Sequence, residues 1–252
     1  MLSTGMQTVL AIDIGNTSIT LGLYRNGKVS RVRRVKPGRS LGKLLKDYVG
    51  TRSIAGVGIS SVVPCVNAAW EKAAATVSEG PVIQLSHHSE IGIPIDYPKP
   101  ASIGADRLAN ACAAAHLFGA PVVVADFGTA LTFDIIDRKK GYVGGVIAPG
   151  IPLMFEYLSD KTALLPRIEP KPVNHAVGRS TEEAMRIGGQ IGYRGIVREL
   201  LTEIKKELGV RRLSVCATGG YAGMVVKDLD QDIPVVEDLT LLGIGRIYEL
   251  NT

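Results

Sequence analysis

The sequence predicts an α/β protein of two similar domains, each a mixed sheet flanked by helices, with one site in the cleft between them. Two observations carry this expectation. An apolar strand at residues 9–12 ends in Asp13-Ile14-Gly15-Asn16-Thr17-Ser18, and a second apolar strand follows at once. The same pattern returns at residues 122–133, where Asp126 lies 113 residues after Asp13. We therefore expect domains at residues 1–117 and 118–252.

The composition is that of an ordinary globular protein. A chain of 252 residues that is 46% hydrophobic and 21% charged can bury the cores of two modest domains. No apolar run approaches the roughly 18–20 residues that span a bilayer, and residues 1–8 lack the features of a signal peptide. We expect a cytoplasmic protein with no membrane partner. Its three cysteines are far apart, without metal-binding spacing, and are expected to be reduced core thiols.

Basic residues cluster near the start of the chain. Between Arg25 and Arg52 there are ten basic residues and one acid. Such a run can attract nucleic acid or another anion, but few aromatic residues interleave it. We favour a solvated strand and helix face, which is compatible with weak steering of a polyphosphate substrate, and expect no nucleic-acid partner.

The secondary structure of the first half is predicted from its hydrophobic periodicity and from the residues that begin or end strands and helices. Apolar runs give strands, the alternation of basic and apolar residues gives an edge strand, and Ser40 can cap a short helix. The predicted order is strands at 9–12, 19–24 and 28–35, a helix at 40–48, a strand at 54–62, a helix at 66–77 and a strand at 81–85.

A long irregular stretch follows His87-His88 and leads into an Ala-rich helix that ends near residue 117. A loop of about fifteen residues is more often functional than a short one. Gly104 opens the helix, where free N–H groups accept anions, and Asp106 and Arg107 follow in the first turn. Asp106 could instead serve the helix dipole, and Arg107 could pair with an acid. The two histidines lack further metal ligands nearby.

The second half repeats the plan, with strands at 121–126, 131–137 and 142–147, helices at 150–158 and 180–208, a strand at 213–217 and a helix from 221. Residues 235–236 are a short strand, and a last helix begins at 239. Ser180 and Glu183 have the spacing of a capping box. The long helix contains four glycines, each of which costs about 1 kcal/mol relative to Ala, so something must approach it closely.

The repeated turns suggest phosphoryl transfer. This chemistry needs cradled phosphates, neutralised charge and an aligned acceptor hydroxyl. Backbone N–H groups after Asp13 and Asp126 could supply the cradle, and the two carboxylates could bind cations. Thr218-Gly219-Gly220, which follows the predicted strand at 213–217, would belong to the same site as these two turns. The sequence contains no lysine-bearing P-loop, and no catalytic loop of protein kinases precedes Asp126-Phe127-Gly128.

These turns resemble those of the superfamily of acetate and sugar kinases, actin and the heat-shock ATPases, and the chain is most similar to the type III pantothenate kinases. The motifs that carry the resemblance occur in the family's order: Asp13-Ile14-Gly15-Asn16-Thr17, Pro100 with Gly104-Ala105-Asp106-Arg107, Asp126-Phe127-Gly128-Thr129-Ala130, Gly144-Gly145-Val146-Ile147-Ala148-Pro149-Gly150, Gly178 with Thr181-Glu182-Glu183, and Thr218-Gly219-Gly220.

The resemblance implies two ribonuclease H-like domains and ATP-dependent phosphorylation of pantothenate to 4′-phosphopantothenate, the first step of coenzyme A synthesis. It implies contacts with ATP by Asp13, Ile14, Gly15, Asn16, Thr17, Ser18, Ile19, Thr20 and Thr129. It implies contacts with pantothenate by Tyr97, Gly104, Ala105, Asp106, Arg107 and Thr181. Asp106 would be the general base, and Asp126 would bind a monovalent cation, K⁺ or NH₄⁺, beside the Mg²⁺ that accompanies ATP. The family implies a homodimer with the substrate site at the subunit interface.

Two alternatives remain open at this point. Another small-metabolite kinase on the same fold would show the same turns, and only the segment around Asp106 and Thr181 argues against it. A nucleotide-binding regulatory or accessory protein could use the basic face from Arg25 to Arg52 on DNA, and an intact Asp106 argues against that.

Overall fold

The computed structural model describes residues 7–36, 40–227, 229 and 232–252. Residues 1–6 lie outside this part, as do residues 37–39 between the predicted strand at 28–35 and the predicted helix at 40–48. The strands are β1 (Val9–Ile14), β2 (Ile19–Arg25), β3 (Lys28–Val35), β4 (Gly56–Ser61), β5 (Val82–Gln84), β6 (Val122–Phe127), β7 (Ala130–Asp137), β8 (Gly141–Pro149) and β9 (Ser214–Thr218). The helices are α1 (Leu41–Val49), α2 (Asn67–Ala75), α3 (Ala105–Phe118), α4 (Ile151–Lys161), α5 (Thr181–Ile187), α6 (Tyr193–Glu207), α7 (Ala222–Val226) and α8 (Leu239–Leu250).

The first sheet has the strand order β3-β2-β1-β4-β5. Its central strand β1 is antiparallel to β2 and parallel to β4, so the sheet is mixed, as predicted. The apolar residues of β1, β2 and β4 pack with α1 and α2 around Trp70, whose exposed fraction is 2%. At the edge of the sheet, the side chains of β3 are mostly exposed, as its basic alternation predicts.

The second sheet has the order β8-β7-β6-β9 and repeats the same plan. Its strand β6 is antiparallel to β7 and parallel to β9, as β1 is to β2 and β4. The inward residues of β6, β7 and β9 form a core with α4, α5, α6 and α7. The expectation of two similar mixed sheets flanked by helices is therefore confirmed.

The described chain packs as two compact units. Unit 1 contains residues up to Gly119, Lys140–Val143 and Asp238–Thr252, and unit 2 contains Ala120–Lys139 and Gly144–Glu237. The last helix, α8, thus belongs to unit 1, where it packs on α3 and β1. A domain boundary between residues 117 and 118 stays a prediction. The packing shows in addition that the chain returns to unit 1 for its last described helix.

The close packing of α8 depends on two of its glycines. A Cβ on Gly243 would overlap the backbone oxygen of Ala109 in α3, and one on Gly245 would overlap the ring of Tyr24 in β2. The ring hydroxyl of Tyr24 donates to Glu249 Oε2 over 2.8 Å. The helix therefore lies nearer to its neighbours than any side chain at these two positions would permit.

Several predicted elements differ in detail. The helix expected at 180–208 contains one π-helical turn, Gly188–Gly192, between α5 and α6. The strand expected at 235–236 is only an isolated bridge between Ala217 and Val235. No helix within the described ranges is long and apolar enough to cross a lipid bilayer.

The cysteine prediction is partly wrong. Cys112 and Cys216 are buried free thiols, as expected, but Cys65 is exposed. It lies in a short 3₁₀ turn, Pro64–Val66, that links β4 to α2 at the surface. The apolar residues beside it in sequence gave no sign of this exposure, because a single helical turn rotates neighbouring side chains to different faces.

Candidate functional site

Asp13 and Asp126 occupy equivalent places in the two sheets, each one residue before the end of the central strand. Across the antiparallel neighbour, Asp13 faces Thr20, and Asp126 faces Thr132. On the parallel neighbour, Asp13 faces Ser60, while Asp126 faces the residue at the end of β9, Thr218. The register thus surrounds each carboxylate with hydroxyl-bearing residues, a relationship that the two turns alone did not predict.

In unit 1, the fully buried hydroxyl of Ser60 donates to Asp13 Oδ1 over 3.0 Å. The turn beyond Asp13 closes through Gly15, whose N–H donates to the backbone oxygen of Ser18 at 3.0 Å. A Cβ on Gly15 would lie 3.2 Å from that oxygen, so the turn is tight. Asn16 and Thr17 at its tip are exposed. The strand end thus presents a fixed carboxylate beside a turn of exposed polar groups.

Two residues of this turn region have buried side chains that a ligand cannot reach. Ile14 and Ile19 are each 2% exposed and belong to the core of the first sheet. Their side chains pack inward, so a ligand at this turn could meet only their backbone. Thr20 lies on β2 next to Asp13.

In unit 2, three backbone segments meet around Asp126. The N–H of Gly128 donates to the oxygen of Ala130, and the N–H of Gly150 donates to the oxygen of Thr129. Gly219 has φ +90°, and a Cβ there would lie 2.5 Å from Asp126 Oδ1. Only glycine fits this position, because both the conformation and the space exclude a side chain. The predicted Thr-Gly-Gly segment is therefore part of the same turn cluster.

Tyr193 also belongs to this cluster, and the sequence reading missed it. Its ring centroid lies 6.4 Å from that of Phe127, and the residue is 1% exposed. Burial, together with the charge of Asp126, raises the pKa of Tyr193 above its ordinary value. Tyr193 follows the π turn Gly188–Gly192 directly, and a Cβ on Gly189 would overlap the ring of Phe155. The four helix glycines were the available signal, and π turns often mark functional positions.

Asp106 lies in the first turn of α3, behind Gly104 at the N-cap. Its Oδ1 accepts the N–H of Arg107 over 2.8 Å. Burial raises the pKa of Asp106 above its usual range, while that N–H and the Arg107 guanidinium act in the opposite direction. A Cβ on Gly104 would overlap Asp106 Oδ1, so glycine is needed here to leave space for the carboxylate. The result is an oriented, half-buried carboxylate that is a stronger base than an ordinary aspartate.

Arg107 and Tyr97 both meet Tyr142, which the sequence reading did not select. The guanidinium carbon of Arg107 lies 5.9 Å from the centroid of the Tyr142 ring, and the Tyr97 ring meets the same ring edge-on at 6.1 Å. Tyr142 is fully buried. Its N–H donates to Pro94, and its backbone oxygen accepts from Asp96, so the loop before α3 is fixed against it.

The remaining predicted site residues lie in simple settings. Thr181 is the exposed first residue of α5, where the Ser180 hydroxyl accepts the N–H of Glu183, as the capping box predicts. The Glu183 carboxylate accepts from Arg179 N–H rather than from Ser180. The ring centroids of His87 and His88 lie 3.9 Å apart, with the ring planes tilted by 40°. Within the described ranges, no group of three or more His, Cys, Asp or Glu residues could hold a metal ion.

Comparison with known proteins shows the family to which this chain is similar. A sequence model of the family described as "Type III pantothenate kinase" matches residues 9–203. The type III pantothenate kinase of Akkermansia muciniphila is 44% identical over 246 residues, which are 97% of this chain and 99% of that protein. Its counterpart from Methylacidiphilum infernorum is 40% identical over 243 residues, covering 96% of this chain and 88% of that protein.

A solved structure shows the same fold at low identity. A conserved Campylobacter jejuni protein assigned to the Baf family of transcriptional activators has a TM-score of 0.63 and 18% identity, covering 95% of this chain and 97% of that one. At that identity the likeness concerns the fold alone.

Proposed function

This chain belongs to the family of type III pantothenate kinases, and from that premise we propose that it transfers the γ-phosphate of ATP to the primary hydroxyl of pantothenate. The product is 4′-phosphopantothenate, the first intermediate of coenzyme A synthesis. The family match spans both turns and the segment around Asp106. The single structural observation that supports the chemistry best is the environment of the Asp106 carboxylate, which is half-buried and held by Arg107 N–H.

Asp106 is the general base of the proposed reaction. A primary alcohol is a weak nucleophile, and a carboxylate within hydrogen-bond reach can take its proton while the bond from oxygen to phosphorus forms. The raised pKa of Asp106 suits this role, because a stronger base accepts the proton more readily. The bond from Arg107 N–H fixes the carboxylate orientation before substrate arrives. The pantothenate hydroxyl therefore meets a base that needs no rearrangement.

ATP is proposed to bind at the two strand-end turns. The exposed turn after Asp13 offers backbone N–H groups and the polar side chains of Asn16, Thr17 and Ser18, and Thr129 offers the same in unit 2. Ile14 and Ile19 would contribute through their backbone, since their side chains are buried. These donors would bind phosphate oxygens and orient the terminal phosphate.

The Asp13 carboxylate fits Mg²⁺ that accompanies ATP. It is a partly exposed oxygen donor whose Oδ1 is positioned by the Ser60 hydroxyl. Mg²⁺ in kinases is held by one or two carboxylates together with phosphate oxygens and water, so a dedicated cluster of protein ligands is not required. When bound, Mg²⁺ neutralises charge on the phosphates.

Asp126 is proposed to bind the monovalent cation, K⁺ or NH₄⁺. A Cβ on Gly219 would lie 2.5 Å from Asp126 Oδ1 and one on Gly128 3.5 Å from it, so the carboxylate lies close to the backbone of both glycines. A carboxylate oxygen is a ligand that suits such a cation. This assignment rests on the family resemblance.

Pantothenate is proposed to be held by the segment around Asp106. Arg107 carries the charge that a substrate carboxylate requires, and its guanidinium lies beside the Tyr142 ring. Gly104 and Ala105 offer backbone groups at the start of α3, and Tyr97 lies edge-on to the same ring. Thr181 of unit 2 is assigned to this site by the resemblance.

We also propose a cytoplasmic homodimer whose substrate site lies at the subunit interface. Unit 2 exposes four large hydrophobic side chains by 66% or more of their surface: Ile147, Tyr157, Leu164 and Val177. An interface with another chain would bury such side chains. A second copy of this chain is the partner that the family implies.

The direct test measures ADP release with ATP and a panel of small alcohols that includes pantothenate, with and without K⁺. Turnover with pantothenate alone among the panel supports the proposal, and preference for another alcohol would instead make the protein a different small-metabolite kinase. Asp126→Ala should abolish activity or raise the K⁺ requirement, and an unchanged K⁺ titration would reject the cation role. No turnover with any alcohol, together with salt-dependent DNA binding, would indicate an accessory protein.

A further inference from the structure

The segment that leads into α3 carries residues proposed to bind pantothenate, but it has little secondary structure of its own. Residues 85–99, all of which the structure describes, form no helix, and their one strand-like pairing is an isolated bridge from Ile95 to Tyr142. Tyr97 lies in this segment, and residues 104–107 follow it. A substrate can bind such a segment tightly only when other parts of the molecule hold it in place beforehand.

At the start of this segment, the side chain of Asn251 binds both backbone groups of Glu90. The N–H of Glu90 donates to Asn251 Oδ1 over 3.0 Å, and Asn251 Nδ2 donates to the backbone oxygen of Glu90 over 2.8 Å. The same Nδ2 donates to the backbone oxygen of Ile247 in α8 over 2.7 Å, which fixes the orientation of the amide. One side chain thus pairs with a peptide unit 161 residues away, as a neighbouring strand would.

The residues after Glu90 also lie on the end of α8. The N–H of Gly92 donates to Glu90 Oε1 over 2.7 Å, which closes a turn. Gly92 has φ +77°, and a Cβ there would lie 3.3 Å from Leu250 Cδ1. Ile91, between the two, is 2% exposed. The pairing with Asn251 therefore begins a compact turn that buries an apolar side chain beside the helix.

The same helix holds the other end of the segment. A Cβ on Gly243 would overlap the backbone of Ala109 in α3, and the Thr240 hydroxyl donates to Asn110 Oδ1 over 2.8 Å. From Thr240 to Asn251, the distance along the helix axis is roughly 16 Å. Both anchors thus lie on one rigid element, which sets the span over which the segment is held. The short bridge to Tyr142 between them is marginal by itself, because so few residues pair.

We propose that Asn251 is a positioning residue for pantothenate: by pairing with the backbone of Glu90, it keeps the segment with Tyr97 in the conformation that accepts the substrate. This role rests on the proposed kinase function. When a binding-competent conformation is only partly populated, the apparent affinity falls by the same fraction. Loss of the pairing therefore weakens substrate binding. Asp106 is held on α3 by contacts of that helix with α8 that do not involve Asn251, so its action on bound substrate is retained.

The test combines steady-state kinetics with amide hydrogen exchange of the full chain. Asn251→Ala should raise the KM for pantothenate about fivefold, while kcat and the KM for ATP change less than about twofold, and the amides of residues 90–97 should exchange faster. Asn251→Asp has the same size and keeps an acceptor for the Glu90 N–H, but it sets a second oxygen against the Glu90 oxygen, so it should raise this KM too. Thr252→Ala is the matched control, since the Thr252 hydroxyl donates to the backbone oxygen of Tyr248 within α8 itself.

The outcomes separate this role from a merely structural one. An unchanged KM for pantothenate in both Asn251 variants would overturn the role, even if the thermal midpoint fell. An equal rise of this KM in Thr252→Ala would also overturn it, because the end of α8 rather than the pairing with Glu90 would then matter. So would a matching change in kcat or in the KM for ATP, which would indicate general loosening. Absence of turnover with pantothenate in the unmodified protein would overturn the proposed function and this role together, whereas normal turnover with equal KM values would overturn this role alone.

Discussion

The buried hydroxyl of Ser60 donates a hydrogen bond to the carboxylate of Asp13, one strand away. Ser60 is the second-to-last residue of β4, as Asp13 is of β1. The parallel register of the two strands places these residues side by side. The hydroxyl is fully buried, so its one observed acceptor fixes the rotamer of Asp13. Ser60 is thus a positioning residue for the proposed Mg²⁺ ligand.

Ser60→Ala is expected to loosen Asp13. The loss of a hydrogen bond to a charged group costs about 1.5–3 kcal/mol, which corresponds to roughly tenfold or more in kcat/KM when Asp13 is misplaced. The Mg²⁺ concentration that gives half-maximal rate should rise, which a merely structural role would not produce. Ser30→Ala, on the exposed strand β3, is the control, since its hydroxyl bonds only to the backbone of Leu23. An unchanged Mg²⁺ dependence would contradict the positioning role.

Asp106→Asn is expected to keep the fold and lose roughly 100-fold or more of the turnover, the scale of a missing general base. In the unmodified enzyme, the rate should fall on the acidic side with a midpoint above the ordinary aspartate value of about 3.9, because burial raises the pKa of Asp106. Rate profiles from pH 4 to 9 measure both effects. The control is Asp47→Asn on the exposed side of α1.

The same pKa shift predicts the effect on stability. Since the pKa of Asp106 is higher in the folded than in the unfolded chain, its favourable contribution is present at low pH and is lost as pH rises through the folded value. At neutral pH, the ionised carboxylate therefore lowers the free energy of unfolding, and substitution by Asn removes this destabilising effect. Scanning calorimetry of Asp106→Asn at pH 7 should give a midpoint no lower than that of the unmodified protein. A lower midpoint would show that the carboxylate stabilises the fold.

Arg107→Lys is expected to raise the KM for pantothenate about tenfold with a smaller change in kcat. Lysine keeps the charge but loses the planar fork and the place of the guanidinium over the Tyr142 ring, which together orient the group. Steady-state kinetics with varied pantothenate separates the two constants. Arg52→Lys is the control, because Arg52 bonds only to the backbone oxygen of Val49. An unaltered KM in Arg107→Lys would remove Arg107 from the substrate site.

Gly219→Ala is expected to lower both activity and stability. Its φ of +90° disfavours a side chain by about 1–2 kcal/mol, and the new Cβ would press on Asp126 and on the backbone of Phe127. Thermal denaturation should show a midpoint lower by several degrees. The adjacent Gly220→Ala is a matched control, since a Cβ there meets nothing within 4 Å. Equal midpoints for the two variants would show that Asp126 has room to move.

The cysteines are expected to differ in reactivity. Burial raises the pKa of Cys112 and of Cys216 to about 12, so neither forms the reactive thiolate near pH 8. Cys65 is exposed. Brief alkylation of the native protein followed by peptide mass analysis should therefore modify Cys65 alone, while alkylation in denaturant should modify all three. Modification of either buried thiol in the native protein would indicate local opening.

The sequence was informative where a residue's role depends on its neighbours along the chain. Apolar runs ending in Asp13 and Asp126 marked the two central strands and their turns, and the spacing from Ser180 to Glu183 marked a helix start. Periodicity could not show which strand lies beside which. The pairing of Asp13 with Ser60 follows from long-range register, and the contact of Arg107 with Tyr142 depends on a loop fixed by backbone bonds.

The glycine-rich helix shows another limit. The four glycines predicted a close approach, and this is confirmed for Gly189, which lies against the ring of Phe155. It is wrong for Gly188, Gly192 and Gly195, where a Cβ would meet nothing within 4 Å. They did not predict the π turn, which changes the rotation of the following residue and helps to place Tyr193 near Asp126. The extra residue of a π turn cannot be predicted from composition, because the same residue types occur in α-helices and in π turns.

The position of α8 has a consequence for where the chain can be divided into fragments. The buried face of this helix, including Leu239, Ile244 and Ile247, belongs to unit 1, although the helix follows the main segment of unit 2 in sequence. A fragment of residues 7–119 alone would therefore lack part of its own core, and the apolar surface that α8 covers on α3 and β1 would be exposed to water. Unit 1 is thus complete only when residues 238–252 are supplied together with its first segment.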